Sequence, residues 1–306
     1  MKPFNLRAVE LAAPKQQRNW DWRAAANFIC GGAGGGLLLV AAFAGLDAFA
    51  MRVAVLLGLA LIGCGLTCVW FEIGRPWRAM NVYRHFASSW MTREAVVALA
   101  VFATGALAMF TGSVILTVLV GACGLAFLYS QARILVANKG IPAWRHPASV
   151  PLMVSTGLAE GAGFVASVAA LAGAGADSRL LVLLLLLLAV RVWCWRRYLA
   201  GLTASGAPVA ALKVLDAFGP RFQFIGHGLP AVVLVAALIG LPGRSLLALL
   251  AGLLVIASGW VMKFTLVRRA AYTQGLAVDH LPVRGRGPSG PAAKPGWKMM
   301  PGGNHG

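Results

Sequence analysis

Acidic residues are scarce in this 306-residue chain: nine Asp and Glu stand against 27 Lys and Arg, and only 12% of residues are charged. A soluble domain carries about a quarter charged residues, so this polar supply excludes an ordinary water-surrounded globule. Cysteine is almost as sparse. Cys30, Cys64, Cys68, Cys123 and Cys194 all fall in apolar stretches, and none has iron–sulfur spacing. Cys64 and Cys68 share a helical face, but no third or fourth metal ligand is nearby in sequence, so they read as small packing residues. Histidine is also rare. Only His227 falls well inside a predicted span, while His85, His146, His280 and His305 lie in loops or the tail. A haem b held between two membrane histidines is therefore not expected.

What is abundant is apolar, at 59% of the chain. A helix needs about 20 residues to cross hydrocarbon. Eight runs have that length, at 24–46, 52–72, 94–112, 113–135, 150–174, 179–200, 223–242 and 244–267. The composition therefore predicts an all-α integral membrane protein, a bundle of eight transmembrane helices. Two breaks rest on short turns, Thr111-Gly112-Ser113 and Leu241-Pro242-Gly243-Arg244. Around the 24–270 membrane domain lie a basic amphipathic arm, 1–23, and a Gly/Pro-rich basic tail, 271–306, which is expected to be extended by itself. No signal peptide is evident, because the first apolar run follows a polar, basic segment and exceeds h-region length.

The net charge of +18 would suggest nucleic acid in a soluble protein. Here the charges fall between spans rather than on one folded face, so membrane lipid rather than nucleic acid is the expected partner. The arm, the 73–93, 136–149 and 195–222 segments and the tail hold nearly all the cations; Arg52, Arg179 and Arg244 lie on the other side. The positive-inside rule then predicts that both termini are cytoplasmic.

The first span opens NWDWRAAANFICGGAGGGLLL. Its glycines do not fit the dinucleotide fingerprint, since no strand precedes them and the last glycine is missing. Gly31 with Gly35, and Gly32 with Gly36, instead predict a small-residue face for close helix approach. Trp20 and Trp22 suit an interfacial belt.

Ionisable groups are costly at membrane depth, which singles out Glu72, Glu94, Glu160, Arg191, His227 and Lys263, with Asn27 as an uncharged addition. Lys263 is expected to snorkel to the near face. Glu160 and Arg191 either pair inside the bundle or line a wet path. His227 reads as a hydrogen-bonding residue of the bundle. Glu72 ends the second span and Glu94 begins the third, so the connection brings both carboxylates to one membrane edge, near Arg75, Arg78 and Arg93. Burial and nearby cations push a carboxyl in opposite directions, so such a site can take up and release protons. A quinol pocket needs this. The competing reading is structural: interfacial salt bridges, with Thr92 as N-cap and Glu94 complementing the helix dipole.

The stretch Phe71-Glu72-Ile73-Gly74-Arg75-Pro76-Trp77-Arg78-Ala79, followed by Ser88-Ser89-Trp90-Met91-Thr92-Arg93-Glu94, resembles the membrane anchor subunits of the dimethyl sulfoxide reductase family and the wider NrfD-like polysulfide reductase anchors. The opening of the first span is similar to the branch associated with phenylacetyl-CoA:acceptor oxidoreductases. The motif covers about a tenth of the chain, while chain length and span count agree over nearly all of it. The resemblance implies a haem-free, quinone-reactive anchor in a bacterial inner membrane, assembled with an iron–sulfur electron-transfer subunit and a molybdopterin catalytic subunit. It implies that Glu94, with Glu72, exchanges protons with quinone (menaquinone or ubiquinone), and that Arg75, Arg78, Trp90 and Arg93 flank the headgroup. The family carries a histidine where this chain has Glu72. A secondary transporter, with charges lining a central path, and a purely structural anchor are the alternatives.

Overall fold

A computed structural model describes residues 9–73, 81–83, 86–173 and 177–278. The protein is an all-α membrane protein, and among the described residues eight helices are long and apolar enough to span a bilayer. They are α1 (Trp22–Phe43), α2 (Ala48–Glu72), α3 (Trp90–Thr111), α4 (Val114–Ala137), α5 (Ser149–Leu171), α6 (Ser178–Ala204), α7 (Val209–Leu238) and α8 (Arg244–Arg269).

Both tight turns fall where the sequence places them. Gly112 ends α3 at φ +64° and Gly243 precedes α8 at φ +79°, a left-handed backbone that glycine adopts without a Cβ penalty. Side-chain oxygens cap several starts. Asp47 accepts from the Phe49 and Ala50 amides at the head of α2, and Asp177 from the Arg179 amide at the head of α6.

Several expected boundaries move by a few residues, and two of the shifts change what the residues there do. The third span begins at Trp90, not 94, and its N-cap is Ser89, whose hydroxyl accepts from the Thr92 amide, so Thr92 is not the cap. The Thr92 hydroxyl instead donates to the Val82 carbonyl and ties down the preceding connection. The seventh helix begins at Val209, not 223. Its first half is amphipathic: Ala211, Leu215, Gly219 and Phe222 are buried while Lys213, Asp216 and Arg221 are exposed. That polarity hid it from a search for apolar runs, although burial at four-residue intervals is a helical signature.

α1 and α5 form the centre. Of their most apolar stretches, 67% and 83% are buried inside protein, against 28–44% for the other six spans. Lipid tails give apolar side chains no reason to turn inward, so close backbone packing decides which helix is central. The small-residue face of α1 supplies it: Gly34 approaches the Gly58 carbonyl of α2, Gly35 that of Gly124 in α4, and Gly36 that of Gly157 in α5. A methyl on Gly36 would overlap the Gly157 carbonyl oxygen, which is backbone and unable to yield. Gly36→Ala is therefore expected to destabilise the bundle by about 1–3 kcal/mol, read as a lower thermal midpoint in detergent. Gly63→Ala, which meets only the tip of Phe102 at 3.6 Å, should be tolerated.

An even number of spans puts the segments before α1 and after α8 on one face, and they meet there. β1 (Val9–Ala12) pairs antiparallel with β2 (Leu276–Val278), the Gln17 amide donates to the Ala271 carbonyl, and the Thr273 amide donates to the Lys15 carbonyl. The basic arm thus runs along the start of the tail. The rest of the tail lies outside the described residues.

Candidate functional site

The end of α2, the start of α3 and the segment leading into α1 enclose a pocket of about 300 Å³ on the face that carries the termini. Glu72 and Glu94 both line it, with Asn19, Trp20, Asn27 and Met91 among their neighbours. Each wall has a local cause.

Trp20 is fixed by stacking on Trp144 at 4.6 Å and by contact with Phe28 at 5.7 Å, while the Arg268 guanidinium and the Gln17 amide donate to its carbonyl. Trp20 therefore packs inward, whereas Trp22 is exposed as an interfacial residue would be. Asp21 caps α1 and pairs with Arg23 at 2.8 Å. The hydrogen bond from Arg23 holds the Asp21 carboxyl below the usual carboxylate range.

Glu72 is half-buried. It accepts from the Asp21 amide at 3.4 Å, and Arg23 crosses beside it to donate to the Phe71 carbonyl at 2.6 Å. Glu94 is only 6% exposed. Because α3 starts four residues earlier than expected, Glu94 sits in the second turn and faces the bundle, beyond the reach of a helix-end role. The Asn27 amide donates to its Oε1 at 3.3 Å, and the Gln131 side chain also lies against it. Asn27 fits because Gly65 of α2 has no side chain to exclude it. Asn27 opens a π-helical turn, Asn27–Gly31, a distortion often found at functional sites.

The structure brings Glu72 and Glu94 together but leaves Trp90 and Arg93 apart from them. Arg93 donates to the Phe86 and Ala87 carbonyls and stacks on Trp90 at 4.3 Å; Arg133 covers Trp90 at 4.6 Å. Among the described residues Arg93 makes no hydrogen bond or ion pair with either acid; its bonds shape the connection instead. Arg75 and Arg78 lie outside the described residues. Among the described residues, the cations that act on Glu72 are Arg23 and Arg268. Gln131 carries no charge and so does not stand out in the sequence as an ionisable group does; a lone amide in an apolar helix is the signal that marks it.

Deeper in the bundle, two expectations are corrected. Lys263 does not snorkel: it is fully buried and pairs with Glu160 at 2.5 Å. The glycine at position 32 leaves room for its ammonium, and Gly259 makes room for Glu160. Arg191 does not pair directly with Glu160. It donates to His227 Nε2 at 2.9 Å, to the Gly226 and Val255 carbonyls and to Ser258. His227 completes this network through Nδ1 and the Phe222 carbonyl, as a hydrogen-bonding residue of the bundle.

The cysteines lie in the spans, unpaired, with Cys194 buried and Cys64 exposed. Among the described residues no group of three or more His, Cys, Asp or Glu is arranged to hold a metal. Comparison with protein-family models gives no match, and comparison with curated proteins gives none, so a function must be argued from the pocket itself.

Proposed function

We propose that the pocket binds the headgroup of a quinone, and that the chain is the quinone-reactive membrane anchor of a multi-subunit oxidoreductase. One observation carries this reading: two carboxyl side chains, one buried and one half-buried, line a single aromatic-walled pocket at the edge of the bundle. A quinol gives up two protons as it gives up two electrons. Its hydroxyls need acceptors within hydrogen-bond reach, and its ring needs an apolar or aromatic wall. Glu94 is the primary acceptor and Glu72, nearer the rim, passes the proton outward. Trp20 supplies the wall.

In this reading electrons pass to an iron–sulfur subunit docked on the same face, which serves a molybdopterin catalytic subunit. The positive-inside rule places that face in the cytoplasm of a bacterial inner membrane. The basic residues there would attract an acidic partner.

The test is photolabelling of the chain in native membranes with a photoreactive naphthoquinone. Label is expected on peptides holding Trp20, Met91 or Glu94, and excess unlabelled quinone should suppress it. Label confined to other helices overturns the assignment. The Glu160–Lys263 pair inside the bundle favours a second reading, a transporter with a central charged path. Co-purification separates the two, since an anchor brings molybdenum and iron–sulfur subunits with it and a transporter does not.

A further inference from the structure

The buried ion pair and the acid pocket are joined by a run of polar atoms that the bundle leaves incompletely bonded. Gln131 of α4 is fully buried; its Nε2 donates to the Asn27 carbonyl at 2.9 Å, and its Oε1 has no hydrogen-bond partner. That oxygen points toward Gly32. A methyl placed on Gly32 would stand 3.4 Å from Gln131 Oε1 and 2.6 Å from Lys263 Nζ. The two atoms are therefore no more than about 6 Å apart across a bare glycine, a gap that one water can bridge with a hydrogen bond to each side.

On the far side of Lys263, Glu160 Oε1 is also without a partner, as is Asn27 Oδ1 on the pocket side. Buried polar atoms are rarely left unsatisfied, and three orphaned acceptors belong to the line of side chains that leads from Asn27 through Gln131 and Lys263 to Glu160. The backbone is distorted at both ends of it: the π-helical turns Asn27–Gly31 and Thr265–Arg269 flank the line. The line also descends. Glu94 is about 6 Å along α3 from its start, and Glu160 about 16 Å along α5, at 1.5 Å per residue.

We infer that Gln131 and Gly32 hold water that connects the acid pocket to the Glu160–Lys263 pair, making that pair a second, deeper proton-exchange site. A proton arriving on the bridging water passes to Lys263 Nζ as Nζ gives one to Glu160 Oε2. Lys263 remains an ammonium, Glu160 becomes a neutral carboxyl, and the pair gains one positive charge. The charged groups facing Glu160 are Lys263 from α8 and Arg191 from α6. The Gln131 amide does not carry the proton; it is a positioning residue for the water that does.

Time-resolved infrared spectroscopy of the full chain in lipid nanodiscs tests this without any quinone present, so it stands or falls apart from the quinone reading. After an acidic pH jump, a neutral carboxyl band should appear that is missing in the double substitution Glu160→Gln/Lys263→Met. Gln131→Leu removes the water's acceptor. Gly32→Ala fills its space and meets only side-chain ends. Each should slow the rise of that band roughly tenfold, the rate equivalent of about one hydrogen bond. Absence of the band in the unaltered protein, or an unchanged rate in a folded variant of either kind, overturns the inference.

Discussion

Lys263→Met should cost about 3–5 kcal/mol of stability, the largest effect expected of any single substitution in the bundle. The ammonium and the Glu160 carboxylate meet at 2.5 Å with neither exposed at all. Removing the lysine leaves a carboxylate inside a low-dielectric core, where it must take up a proton or drag in water. The gap near Gly32 and Gln131 would also lose the ammonium that borders it. The double substitution Glu160→Gln/Lys263→Met removes both charges together and should recover most of the loss, because a buried pair gives back to desolvation much of what it gains by attraction. Thermal unfolding in one detergent, compared across the two single variants and the double, checks this. Equal destabilisation by the double and by Lys263→Met would mean that packing, not charge, sets the cost.

Glu94→Gln should leave the fold and subunit assembly intact while slowing quinol-linked turnover by about a hundredfold or more, the usual range for a lost general base. Glutamine matches glutamate in shape and can still bond the Asn27 amide, which donates at 3.3 Å, through its own carbonyl. It cannot accept and hold a proton. Glu72→Gln should slow turnover less, since Glu72 is nearer the rim and water can stand in for it. Turnover measured in membranes with a soluble quinol analogue distinguishes these outcomes. Undiminished turnover in Glu94→Gln would reject it as the proton acceptor, whatever binds in the pocket.

The boundaries that shifted show how the sequence misleads. Counting apolar residues found eight spans but started the third at Glu94, because Trp90, Met91, Thr92 and Arg93 look like connection. The Ser89 cap brings those four into the helix, and the shift moves Glu94 from a helix end to a buried second turn. The same counting shortened α7, whose first half pays for its polar face with buried Leu215 and Phe222.

By itself, the sequence determined the class and much of the organisation: eight apolar runs, their turns at Gly112 and Gly243, the glycine face of α1, and two acids at one edge. These depend on composition and local spacing, which the backbone obeys wherever the chain sits. Only the tertiary structure decided which polar groups meet. That Lys263 turns inward to Glu160, that Arg191 bonds His227, and that Gln131 and Asn27 reach Glu94 all depend on contacts between helices far apart in sequence. Such partners are fixed by which small residues let two backbones close and which side chains then remain to be satisfied, a choice that no single helix carries.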